Sequence, residues 1–98
     1  MTFKWIGWCK ENQHDKVWMI VQLNSDHHSG RFVTVWGRRG KKLQSKIQEY
    51  QESREIDRLI SSKEAKGYRR VEEKDLNSVY PEFQNDLEKT TVWALLTS

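Results

Sequence analysis

The chain is poor in cysteine, in long apolar runs and in aliphatic residues, and each shortage excludes something. The lone Cys9 rules out an intramolecular disulfide and points to a reducing, intracellular compartment. There is no run of about 18 apolar residues, so no membrane-spanning helix is expected. The first ten residues lack the apolar run and cleavage site of a secretory signal. No repeat, low-complexity stretch or linker interrupts the 98 residues, which fit a single domain, 1–98, with one modest core. A chain this short has little room for a catalytic cleft between two lobes.

Because Val, Ile and Leu are scarce, some of the five tryptophans must carry the core. Charged residues make up 32% of the chain and the mean hydropathy is −0.91, which predicts a soluble protein. The net charge is only +3, so an argument for a nucleic-acid partner has to rest on how charge is distributed. The distribution is uneven. Between Arg31 and Lys46 stand Arg31, Arg38, Arg39, Lys41, Lys42 and Lys46 with no acid among them, which leaves the rest of the chain net acidic.

Alternation predicts strands over residues 2–10, 16–23, 31–36 and 43–50. In the first, Phe3, Trp5 and Cys9 share one phase and Ile6 and Trp8 the other. In the second, Val17, Met19, Val21 and Leu23 form an apolar phase opposite Trp18 and Ile20. In the third, Val33 and Val35 oppose Phe32, Thr34 and Trp36. In the fourth, Leu43 and Ile47 are expected to point inward. Residues 53–66 read as a helix capped by Ser53, with an Ile56, Leu59, Ile60 stripe and a stop at Gly67, after which Tyr68 packs back. Pro81 starts a second short helix carrying Phe83 and Leu87 on one side. Residues 91–96, β-branched and apolar, suggest a closing strand. The fold class is therefore α+β: a twisted antiparallel sheet of four to five strands with one main helix packed on it.

The chemistry concentrates at Trp36, Gly37, Arg38, Arg39, Gly40, Lys41, Lys42 and Lys46. An exposed Trp36 offers a flat face to a sugar or base. Gly37 and Gly40, without Cβ atoms, let a phosphate approach the backbone. Arg38 can hold a phosphate through two parallel hydrogen bonds. Arg39, Lys41, Lys42 and Lys46 add phosphate contacts that position rather than specify. The competing reading makes Trp36 a core aromatic and the bases a solvated hairpin. Lys63, Lys66, Arg69 and Arg70 form a second basic group, which either extends that surface or serves solubility and helix-dipole compensation. His27 and His28 beside Asp26, with Cys9 and His14, do not complete a zinc pattern, so no metal or cofactor is expected. Nothing orients Cys9 towards a histidine, and no enzymatic activity is expected.

At Trp36-Gly37-Arg38 the chain resembles the WGR domain, a family named for that tripeptide and found in DNA-dependent poly(ADP-ribose) polymerases and in small bacterial proteins. The strand Lys16-Val17-Trp18-Met19-Ile20-Val21-Gln22-Leu23, the following hairpin gap, Gly40, Gln44, Tyr50 and Lys66-Gly67-Tyr68 fit the same pattern over about residues 3–70. Residues 71–98 are an extension packed on that domain. The chain departs from the family at Arg39, where an aliphatic residue is usual, and near Leu43, where a further glycine is missing. The resemblance implies a twisted sheet with a helix on one face, and a non-catalytic domain that binds DNA at duplex ends or nicks. Trp36 would pack on a terminal sugar and Arg38 would contact DNA or a neighbouring domain. The alternative is a protein-interaction module, a subunit or inhibitor that docks on a larger partner through the loop or the acidic 72–88 segment.

Overall fold

The alternating phases of the second and third strands decide the architecture, because both of their faces are apolar and both have to be covered. The computed structural model describes residues 2–11, 13–22, 30–50 and 52–96. Strands β1 (Thr2–Cys9), β2 (Lys16–Gln22), β3 (Arg31–Arg38) and β4 (Gln44–Glu49) precede helix α1 (Ser53–Ala65) and a short strand β5 (Arg69–Arg70). A 3-10 turn (Glu73–Asp75) and three short helices follow, α2 (Leu76–Val79), α3 (Phe83–Glu88) and α4 (Trp93–Leu96). The strands form one antiparallel sheet in the order β4-β3-β2-β1-β5. This is the small α+β fold that the strand and helix patterns predict.

Each face of the sheet has its own core. One face presents Ile6, Val17, Met19, Val21, Val33 and Val35, and Leu76, Tyr80, Phe83, Leu87, Val92 and Leu96 of the C-terminal segment cover it. The other face is aromatic: Trp5, Trp18, Ile20 and Phe32 pack beneath Ile56 of α1, with Leu59, Ile60 and Tyr68 at the margin. The Trp5 and Trp18 rings meet with centroids 5.8 Å apart, within the range where tilted aromatic pairs attract. Helix α1 ends where the backbone N–H groups of Gly67 and Tyr68 donate to the carbonyls of Glu64 and Lys63.

Four local expectations need correcting. Phe3 packs with Ile6 on the aliphatic face rather than with Trp5, because the β1–β2 register shifts between Phe3 and Trp5 and turns the strand by one residue. Ile47 does not point into a core. It lies on edge strand β4, 39% exposed, beyond the reach of the covering helices. Ser53 is the first residue of α1, with Glu52 at the cap position and no side-chain cap hydrogen bond. Residues 91–96 end in helix α4, not a strand: the sheet ends at β4 and β5, and Val92 and Leu96, four apart, point together into the aliphatic core. The acidic run after Val71 begins helical structure that alternation did not reveal. Leu23, the loop before Gly30 and the His27–His28 pair lie outside the described residues.

The C-terminal segment is thus half of one core. Leu87→Ala, at a fully buried position, is expected to cost about 2–5 kcal/mol of unfolding free energy in a urea titration. A loss below about 0.5 kcal/mol, the size of an ordinary surface substitution, would contradict this packing.

Candidate functional site

Pairing of β2 with β3 sets Trp18 opposite Trp36 and Lys16 opposite Arg38. All four therefore project from the α1 side of the sheet, as does Lys46, which stands opposite Thr34 on β4. Trp36 is half-buried at the edge of the aromatic core. It lines a cavity of about 230 Å³ with Trp18, Thr34, Gln48, Lys63 and Tyr68. Gln48 Nε2 donates to Thr34 Oγ1 at 3.1 Å inside this group. Trp36 is in this way both a core margin and an accessible surface.

The loop after Trp36 is a tight turn in which Lys41 N–H donates to the Arg38 carbonyl at 3.0 Å. Gly40 takes the third position with φ +84, a conformation such turns reserve for glycine, and the space around it is open. Gly37 is less accessible: a Cβ there would meet the Lys42 carbonyl oxygen at 3.3 Å, so its small size serves closure of the turn. Arg38, Lys41, Lys42 and Lys46 are exposed. Arg38 Nη1 donates to the Gln13 carbonyl at 3.0 Å, which steadies the side chain without neutralising it.

Arg39 goes the other way. Its guanidinium meets Asp15 Oδ2 from Nη2 at 3.0 Å and from Nε at 3.1 Å. It also donates to the Val79 carbonyl and lies 4.9 Å from the centre of the Trp8 ring. Trp8 Nε1 donates to the other oxygen of Asp15 at 2.8 Å. Burial pushes the Asp15 carboxyl up, but the hydrogen bonds from Trp8 and Arg39 and the charges of Arg39 and Lys10 outweigh it, and the carboxyl titrates below its usual value. Arg39 thus ties the loop to the C-terminal segment on the aliphatic side of the sheet, and its charge is already matched. This gives a physical reason for a cation at position 39.

The second basic group divides. Arg69 and Arg70 belong to β5 beside β1, where Arg70 pairs with Glu72 at 2.6 Å. Lys63 and Lys66 instead join Lys16, His14, Cys9 and Tyr68 around a cavity of about 280 Å³ next to the Trp36 site. The Lys63 ammonium lies 5.3 Å from the Trp18 ring centre and 5.8 Å from that of Tyr68. Burial, then the charges of Lys66 and Lys16, hold its pKa below the ordinary lysine value. Lys16, Trp18, Thr34 and Gln48 were not picked out as site residues from the sequence. The signal was there in the alternation that puts Lys16 and Trp18 in one phase, but it needed the β2–β3 register to connect them to Trp36.

Among the described residues, no cluster of His, Cys, Asp or Glu could hold a metal ion, and no helix is long and apolar enough to cross a membrane. Comparison of the chain with protein-family models, with curated proteins and with solved structures gives no match.

Two stability outcomes follow from this geometry. Arg39→Ala should cost about 1–3 kcal/mol, since it leaves a partly buried carboxylate short of partners, whereas Arg38→Ala should change stability by less than about 0.5 kcal/mol. Equal losses in urea unfolding would contradict the division of roles. The depressed Asp15 carboxyl stabilises the fold fully above its unfolded value of about 3.9, and that contribution disappears as pH falls through the lower folded value. Melting curves of the parent chain and Asp15→Asn should therefore differ at pH 6 and converge under acid. A constant offset down to pH 2 would contradict the assignment.

Proposed function

We propose that this chain is a non-catalytic, WGR-like DNA-binding domain that engages duplex ends or nicks through the α1 side of its sheet. The observation that carries the proposal is the shared face of Trp36, Arg38, Lys46, Lys16 and Lys63. An accessible indole is surrounded there by cations that no carboxylate pairs with among the described residues. A solvated charge run needs no aromatic at its centre. A core aromatic needs no unmatched cations around it, because each ammonium held near another costs stability.

In this reading the cations hold phosphates, and the Trp36 face meets the sugar or base that is exposed only where a strand ends. Lys41, Lys42 and Gly40, at the open tip of the turn, extend the backbone contact. Gly37 shapes the turn, and Arg39 anchors it from the opposite side. The unpaired, buried Cys9 suits an intracellular setting.

Neutralising about four phosphates should give a slope of about −3.6 for log K against log salt. Trp36→Ala should weaken binding to a blunt linear duplex by about 1–3 kcal/mol and leave binding to closed-circular DNA nearly unchanged. Fluorescence anisotropy at several salt concentrations reads both. A slope near zero, or equal losses on linear and circular DNA, would contradict the proposal.

A further inference from the structure

One side of the sheet ends at β4, and among the described residues no strand pairs with its outer side. The exposed large hydrophobic side chains of the described residues, Ile47 and Leu95, both stand at this edge. Ile47 lies on β4 itself. Leu95 lies one helical turn beyond Thr91, whose hydroxyl is 3.4 Å from that of Ser45 on the same strand. Ser45 and Ile47 pair with Val35 and Val33, so this apolar corner belongs to the aliphatic side of the sheet.

The register decides which backbone groups of the edge are unused. The Tyr50 N–H donates to the Gly30 carbonyl at 2.7 Å, so these two residues form a hydrogen-bonded pair at the end of the β3–β4 ladder. Such pairs alternate with non-bonded ones along an antiparallel ladder. Gln44, Lys46 and Gln48 therefore direct their backbone groups to β3, and those of Ser45, Ile47 and Glu49 point away from the sheet. A row of outward donors and acceptors is a template for another strand.

The side chains select a second copy of the same strand. Antiparallel pairing about a two-fold axis through Ile47 sets Ile47 against Ile47, Ser45 against Glu49 and Lys46 against Gln48. Each outward residue then meets another outward residue and exchanges both of its hydrogen bonds. Glu49 faces a hydroxyl donor. Lys46 faces the Gln48 amide, whose nitrogen is engaged with the Thr34 hydroxyl at 3.1 Å and whose oxygen can accept. No like charges stand opposite each other. Moving the axis to Lys46 would oppose two ammonium groups, and moving it to Gln48 would set each Ile47 against a carboxylate.

We infer that the chain forms a two-fold dimer through β4, which joins two sheets into one. The axis runs perpendicular to the sheet, so the two Trp36 faces look the same way. The inference does not depend on what those faces bind.

Sedimentation equilibrium of the full chain reads the mass directly. It should rise with concentration from 11.8 kDa to twice that value and no further, because an isologous contact closes on itself. Ile47→Lys and Ile47→Glu should each remain monomeric. An equal mixture of the two should recover the dimer, since the axis then carries opposite charges. Amide hydrogen exchange in the unaltered chain gives a readout without substitution. The Ser45, Ile47 and Glu49 amides should exchange more slowly as concentration rises, while those of Lys46 and Gln48 are protected at every concentration. A chain still monomeric at about 1 mM, where even a contact with a millimolar Kd is substantially formed, overturns the inference. A dimer that persists in either variant alone overturns it too, as does concentration-dependent protection that spares the Ser45, Ile47 and Glu49 amides. Assembly beyond the dimer would mean that β4 meets a different edge, and would also overturn it.

Discussion

The antiparallel pairing of β2 with β3 is the constraint on which the rest depends. It places Trp18 against Trp36 and Lys16 against Arg38 on one face, and Met19 against Val35 and Val21 against Val33 on the other. Side chains alternate strictly along a strand, so slipping this register by one residue would turn one strand over relative to the other. Lys16 and Trp18 would then share a face with Val33 and Val35, and neither core nor the lysine–tryptophan surface would form. Both faces being apolar, the sheet needs a cover on each. Helix α1 covers the aromatic face only in part, and the uncovered corner is where the cations that no described carboxylate pairs with collect.

Arg39 and Arg38 show how adjacent residues with the same chemistry take on different work. The turn at Arg38–Lys41 sends Arg39 to the aliphatic side, where Asp15, Val79 and Trp8 absorb its charge and stacking capacity. Arg38 stays on the open side beside Lys16. The C-terminal segment therefore does more than complete a core. Through the Val79 carbonyl it holds the base of the loop that carries the candidate interface.

Much of this was legible in the chain. The β2 and β3 phases, the Ile56, Leu59, Ile60 stripe and the Phe83, Leu87 pair are strong periodic signals, and each lies where its period predicts. What was not legible has local physical causes. The register shift in β1 moved Phe3 to the other face, and alternation cannot reveal an inserted residue. The 91–96 segment has strand-forming composition, but tertiary packing decided its conformation, since Val92 and Leu96 reach the same core only on a helical turn. The split of Lys63 and Lys66 from Arg69 and Arg70 depends on β5 joining the far edge of the sheet, a long-range pairing only two residues long. Lys16 looked like an ordinary strand terminus until the fold brought α1 over it.

The central claim, that the α1-side corner of the sheet receives a DNA end, is tested most directly by the tryptophan indole N–H signals in a nitrogen-15 spectrum. The side chains of Trp18 and Trp36 line the corner, while Trp8 and Trp93 pack on the aliphatic core. On addition of a blunt duplex, the account predicts shifts of the Trp36 and Trp18 signals with those of Trp8 and Trp93 unmoved. Shifts confined to Trp8 and Trp93, or no shift at a saturating duplex concentration, would contradict it.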